Sequence, residues 1–113
     1  MPEILTTISA DELKSALESD HPPVVINVLD REAHTARHVP GSINVPGDDI
    51  EQIEALIPNK EEPIVVYCAN ADCDASPAAA QTLEEMGYTN VMDFEEGYAG
   101  WRRAGYPLVG SEA

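Results

Sequence analysis

The chain has 113 residues, enough for one domain, and its 43% hydrophobic content suits a packed core and not a disordered chain. It carries 21 acidic residues against 6 basic ones, a formal charge of −15. Such a surface repels nucleic acid and anionic membranes, and no apolar run approaches the ~20 residues needed to cross a bilayer.

In chain order, the start Met1-Pro-Glu-Ile-Leu5 has neither the basic nor the apolar region of a secretory signal, so a soluble, cytoplasmic protein is expected. A first short strand is expected over Ile4 to Thr6. Ser9-Ala-Asp-Glu12 is a capping box that starts a helix running to about Glu18, with Leu13 and Leu17 on its inner face. Val24 to Val28 is a nearly continuous apolar run, the pattern of a strand covered on both faces. Asp30 can cap a short helix toward Arg37, and Ile43 to Val45 follows as a strand. Ile50, Ile53 and Ile57 then recur at helical spacing until Pro58 stops them. Ile64 to Tyr67 is the second apolar strand. Ser76-Pro77 supplies an N-cap with proline at the first helical position, and Ala79, Ala80, Leu83 and Met86 form the stripe of that helix up to Gly87. Val91 to Asp93 gives a last strand and Ala99 to Ala104 a last helix, and residues 110–113 are expected to be a loose tail. Strands alternating with helices predict an α/β fold with a mostly parallel sheet and helices on both faces, in a single domain over 1–113.

Two cysteines, Cys68 and Cys73, stand five positions apart. Zinc would need about four ligands, and His21, His34 and His38 all precede the pair without ligand spacing, so neither metal nor cofactor is expected. Cys68 follows directly on a buried strand, where open α/β sheets bind ligands. The next residues, Ala69, Asn70, Ala71, Asp72, Cys73, Asp74 and Ala75, are small or polar, and a helix opens at Ser76. Such a loop can turn its N–H groups inward beneath the positive end of the helix and stabilise a thiolate or persulfide. A small buried residue closing a strand fits the position equally well.

Further stretches carry a resemblance. Asn27-Val-Leu-Asp-Arg-Glu-Ala-His-Thr-Ala-Arg-His-Val-Pro-Gly-Ser-Ile-Asn-Val-Pro46, Val66-Tyr-Cys68, Gly87-Tyr-Thr-Asn-Val91 and Glu96-Gly-Tyr-Ala-Gly-Trp-Arg-Arg-Ala-Gly-Tyr-Pro107 resemble, in order and spacing, the motifs of the rhodanese-like family. The resemblance runs from about Ile4 to Val109. It implies a five-stranded parallel sheet and transfer of sulfane sulfur through a persulfide on Cys68, from a small-molecule or protein-borne persulfide donor to a thiol acceptor.

The departures bear on the substrate. Family members that use thiosulfate usually have a loop cation and Asp-Val-Arg after the second strand. Here that stretch reads Asn27-Val-Leu29, and nothing basic occurs between Lys60 and Arg102. The loop is about two residues longer and holds Asp72, Cys73 and Asp74. A carboxylate ~6 Å from an anion costs roughly 0.7–2.8 kcal/mol at an effective dielectric of ~80–20, so weak thiosulfate activity is expected. Cys73 can resolve a persulfide or sulfenic acid on Cys68, or it is a chance small residue. Three functions follow: a sulfurtransferase, a non-catalytic binding or thiol-redox-sensing module using the Cys68/Cys73 pair, and a cysteine phosphatase, the last disfavoured because phosphate would be held by a loop arginine. His38 is read as pinning the turn at Pro40-Gly41, Trp101 as packing, and Arg102 and Arg103 as solvated and acid-paired. The acidity itself has two readings, a salt-loving host or a plain solubility face.

Overall fold

A computed structural model describes residues 6–113. Four strands, β1 (Val24–Asn27), β2 (Ile43–Asn44), β3 (Ile64–Tyr67) and β4 (Val91–Phe94), form one parallel sheet in the order β2-β1-β3-β4. The helices are α1 (Ala10–Leu17), α2 (Arg31–Ala36), α3 (Ile53–Leu56), α4 (Ala75–Glu85) and α5 (Gly97–Arg103), with a 3₁₀ turn over Gly47–Gln52 leading into α3. The connection from β1 goes outward to β2, and the next strand returns to the other side of β1. The crevice beyond β1 and β3 is therefore where this topology favours a ligand.

The expected fifth strand needs a correction. Ile4 and Leu5 lie outside the described residues, and the described sheet has four strands. At the β4 edge, Thr7 makes a single parallel bridge with Asp93, whose N–H donates to Thr6 O at 2.8 Å, too short a pairing to count as a strand.

Period-two alternation divides the strands between two cores. Ile26, Val28, Ile64, Val66, Cys68 and Val91 meet Ile50, Ile53 and Ile57 and the α4 residues Ala79, Ala80 and Leu83 on one face. Val25, Val65, Tyr67 and Phe94 meet Leu13 of α1, Val39 and Trp101 of α5 on the other. The Ser9/Glu12 capping box starts α1 with both bonds made, at 3.1 and 3.0 Å, and Asp30 caps α2 by accepting from Ala33 N at 2.8 Å. Trp101 is buried, edge-on to Phe94, with its indole N–H donating to Pro107 O at 2.9 Å.

Residues 110–113, read from the sequence as a loose tail, are exposed but tied to the end of α2. Ser111 N donates to Thr35 O at 3.0 Å and Glu112 N to Ala36 O at 2.8 Å. The carbonyls involved are among those a helix leaves without internal partners at its C-terminus, which gives the tail something to bind. His38 backbone pairs antiparallel with Val109, and its ring Nδ1 lies 2.7 Å from His34 O, so it braces this corner.

A buried polar hub closes the sheet under the crevice. Tyr67 OH receives the Asn27 amide at 3.1 Å and the Val39 N–H at 3.0 Å, and lies 2.7 Å from Ser42 Oγ. Burial raises the Tyr67 pKa against the opposing effect of these partners, so the phenol stays neutral. Tyr67→Phe leaves these groups short of a partner inside the core. The variant is expected to lose about 1–3 kcal/mol of stability in urea unfolding followed by Trp101 fluorescence. An unchanged midpoint would mean that the hub contributes no net stability.

Candidate functional site

Cys68 directly follows β3 and is fully buried, while Cys73 is partly buried and packs against the same core. The loop between them brings their Cα atoms to 6.4 Å and joins the two sulfurs as a disulfide. That separation falls inside the ~4.4–6.8 Å window for such a bond. Asn70 shapes the turn: its carbonyl accepts from Cys73 N at 3.2 Å, and its side-chain oxygen accepts from Asp72 N at 2.9 Å. Asn70, Ala71, Asp72 and Asp74 are exposed, Ala69 and Ala75 are half-buried, and Ser76 is buried.

α5 holds the start of this loop. Tyr98 N donates to Cys68 O and Ala99 N to Ala69 O, each at 3.0 Å, so two free amides of the first helical turn are spent on the loop backbone. The helix therefore begins at Gly97, two residues before the expected Ala99.

Polar atoms within 4 Å of Cys68 Sγ include Asn70 O at 3.9 Å, Cys73 O at 3.7 Å and Ser76 Oγ at 3.7 Å. The two carbonyls belong to the loop that the Asn70 turn folds back over the sulfur.

Ser76 is also placed differently from the sequence reading. α4 starts at Ala75 with Asp74 as its cap residue and no side-chain capping bond. Ser76 is thus the second helical residue, with its hydroxyl turned to the core, and Pro77 sits in the first turn, where its missing N–H costs nothing. Beneath Ser76 lies a residue that the site reading omitted. Asp93 of β4 is 2% exposed, pairs in register with Val66, and keeps Oδ1 without a hydrogen-bond partner. Burial raises its pKa above the usual carboxylate range; the Ser76 hydroxyl opposes that rise and Glu95 adds to it. One signal was available: in Val91-Met-Asp-Phe94 the acid shares its strand face with Val91, a core position.

Beside the loop, a cleft of about 300 Å³ is lined by Val28, Leu29, Asp30, Pro46, Gly47, Asp48 and Ala75. Its lining stops at Ala75 and does not include Cys68. Arg102 is exposed, and Arg103 pairs with Glu96 at 3.7 Å on the far helix, so the expected acid pairing holds for Arg103. No helix of the described residues is long and apolar enough to cross a membrane.

The rhodanese-like domain family matches residues 9–104. Thiosulfate sulfurtransferase GlpE of Tolumonas auensis is 30% identical over 83 residues, covering 74% of this chain and 74% of that protein. The HTH-type transcriptional regulator Rv0324 of Mycobacterium tuberculosis is 31% identical over 84 residues, covering 74% of this chain but 36% of that protein. Together with two fungal adenylyltransferase and sulfurtransferase proteins, of which the chain spans 23% and 22%, this regulator is much longer than the matched module. The solution structure of the rhodanese-like domain of Anabaena Alr3790 superposes with a TM-score of 0.84 at 26% identity, over 96% of this chain and 82% of that one.

Proposed function

The chain belongs to the rhodanese-like domain family, and on that basis we propose that it is a sulfurtransferase carrying sulfane sulfur as a persulfide on Cys68. The position of Cys68 carries the proposal: it directly follows a central parallel strand at the crevice beyond β1 and β3, beside Ser76 in the first turn of α4. Rhodanese-like domains take sulfur from a donor and pass it to an acceptor. Here the reduced Cys68 thiolate attacks the donor's sulfane sulfur, the donor's leaving group departs with the bonding electrons, and an acceptor thiolate then removes the outer sulfur.

The donor is neutral or thiol-borne. Asp72 and Asp74 are exposed, so the water-like end of the electrostatic range applies, about 0.7 kcal/mol per carboxylate and unit charge at ~6 Å. A dianion doubles that for each aspartate, and the loop has no cation to offset it. A reducing compartment, the cytoplasm, keeps the thiol available.

Intact mass after reduction and incubation with candidate donors tests this reading. The expected result is a gain of one sulfur atom that Cys68→Ser abolishes, with thiosulfate loading slower than a neutral or thiol-borne persulfide by about tenfold or more. No sulfur on Cys68 from any donor would sink the transfer reading, and efficient loading by thiosulfate at low salt would sink the account of the loop's charge.

The Cys68–Cys73 disulfide favours a second reading, a thiol-redox-sensing module in which closure of the pair withdraws Cys68. The two readings are compatible, since one thiol serves both.

A further inference from the structure

We propose that this chain reduces the persulfide it carries: Cys73 attacks Cys68 at the inner sulfur, releases the carried sulfur as hydrosulfide, and leaves the Cys68–Cys73 disulfide. The inference rests on the reading of Cys68 as a persulfide carrier and names the step that ends its turnover. The donor's sulfane sulfur then leaves as sulfide, and an external thiol supplies the electrons.

The geometry selects the sulfur under attack. A persulfide on Cys68 has two sulfurs, the inner Sγ and the outer one that came from the donor. The loop returns Cys73 to Cys68 Sγ itself, with the Cα atoms 6.4 Å apart and the two sulfurs joined. Asn70 holds this turn: its carbonyl accepts from Cys73 N at 3.2 Å and its side chain from Asp72 N at 2.9 Å. Cys73 also packs against the core cluster that contains Cys68, and its carbonyl lies 3.7 Å from Sγ. Attack on the inner sulfur makes the bond this arrangement already holds. Attack on the outer sulfur needs a second arrangement, with Cys73 Sγ one S–S bond, about 2 Å, further along.

The Cys73 thiolate attacks Sγ of the protonated persulfide, the bond from Sγ to the outer sulfur breaks, and its electron pair leaves with the outer sulfur as HS⁻. The outer sulfur is reduced by two electrons, and the two cysteine sulfurs are oxidised to the disulfide. The loop suits this departure. Nothing basic occurs between Lys60 and Arg102, and Asp72 and Asp74 are exposed on the loop. Carboxylates without a cation favour the protonated persulfide over its anion, and they repel the departing hydrosulfide. The missing loop cation, which disfavours a dianionic donor, thus favours release of an anionic product.

An external thiolate reopens the pair. In the disulfide form Cys73 keeps some exposure and Cys68 has none, so the reagent attacks Cys73. The reagent sulfur bonds to Cys73, the Cys68–Cys73 bond breaks, and Cys68 leaves with the electron pair and takes up the proton that the reagent lost. A second thiolate attacks the reagent sulfur, frees Cys73 and departs with it as a disulfide. Over the cycle one sulfane sulfur and two thiols give one sulfide and one external disulfide. The chain therefore belongs between a reaction that makes a persulfide and one that consumes sulfide, beside a system that keeps thiols reduced.

Single-turnover mass spectrometry with sulfide trapping tests the proposal. Reduced protein, freed of reductant, receives one equivalent of cysteine persulfide. Acid-quenched samples are weighed intact, and sulfide is trapped with monobromobimane. In the wild type a gain of one sulfur is expected at early times. It should then decay to the reduced mass less two hydrogens, with close to one equivalent of sulfide released at a rate independent of protein concentration. Cys73→Ser should keep the added sulfur and release sulfide at least about tenfold more slowly, since only the internal attack is lost. Cys73→Ala, which keeps an apolar side chain against the core, should behave alike, so a packing defect of the serine does not decide the result. A wild-type persulfide that persists, sulfur that moves to Cys73, or equal sulfide release by Cys73→Ser would overturn the proposal while leaving Cys68 as a carrier. A Cys73→Ser protein that takes up no sulfur, beside a wild type that releases none, would sink the carrier reading and this inference with it.

Discussion

Gly97→Ala is expected to destabilise the protein by about 3 kcal/mol or more and to disorder the cysteine loop, a large fraction of the roughly 5–15 kcal/mol that holds a domain together. Two costs combine. Gly97 has φ +65°, where an L side chain costs about 1–2 kcal/mol. A Cβ there would also strike Cys68 O and come within 2.6 Å of Ala69 C and 2.7 Å of Asn70 N. These are backbone atoms and have no rotamer to yield. Relief requires α5 to withdraw, which breaks the Tyr98 and Ala99 bonds to the loop carbonyls. Gly105→Ala isolates the first cost, because Gly105 has φ +95° and nothing within 4 Å of its Cβ position. Urea unfolding of both variants should therefore give about 1–2 kcal/mol for Gly105→Ala and clearly more for Gly97→Ala. Equal losses would show that the close approach to the loop carries no energy.

Gly97 marks where sequence reading stops. Elements set by local chemistry were legible: the Ser9/Glu12 box, the Asp30 cap, the isoleucine series 50, 53 and 57, and the apolar runs of β1 and β3. The cysteine pair was legible for a similar reason, since only two cysteines exist and one short loop holds both. Features that arise from one element meeting another were not. Nothing near Gly97 in the chain reveals that its missing Cβ leaves room for Cys68 and Ala69. Ser76 followed by proline satisfies a capping rule locally, yet the helix begins a residue earlier because the loop delivers the chain to Asp74 already turned. Asp93 looked like a strand end; only pairing of β4 with β3 places it beneath the helix that carries Ser76. The loop carbonyls at Sγ depend on backbone direction, which composition does not encode. The site's outer residues were therefore predictable, and its inner support was not.

Cys73→Ser is expected to convert a recoverable oxidation into a permanent one. The Cys68 thiolate attacks one peroxide oxygen, the O–O bond breaks, and hydroxide leaves and takes a proton from solvent, which gives a sulfenic acid and water. In the wild type, Cys73 stands where its sulfur bonds to Cys68. Its thiol therefore condenses with the sulfenic acid, expels water and leaves an intramolecular disulfide two hydrogens lighter than the reduced protein. Thiol reduction then restores essentially all of the starting mass and any sulfur-accepting capacity. In the variant the serine hydroxyl cannot resolve a sulfenic acid, and the chain holds no other cysteine to supply a thiol. The sulfenic acid then persists until more peroxide drives it to sulfinic acid, which ordinary thiols do not reverse. Intact mass after graded peroxide and then dithiothreitol should show near-complete recovery for wild type and a retained gain of two oxygens on Cys68 in Cys73→Ser. A non-reducing gel should show no dimer for the wild type. If both proteins over-oxidise alike, the pairing of the two sulfurs has no chemical consequence, and Cys73 is a bystander in a one-cysteine site.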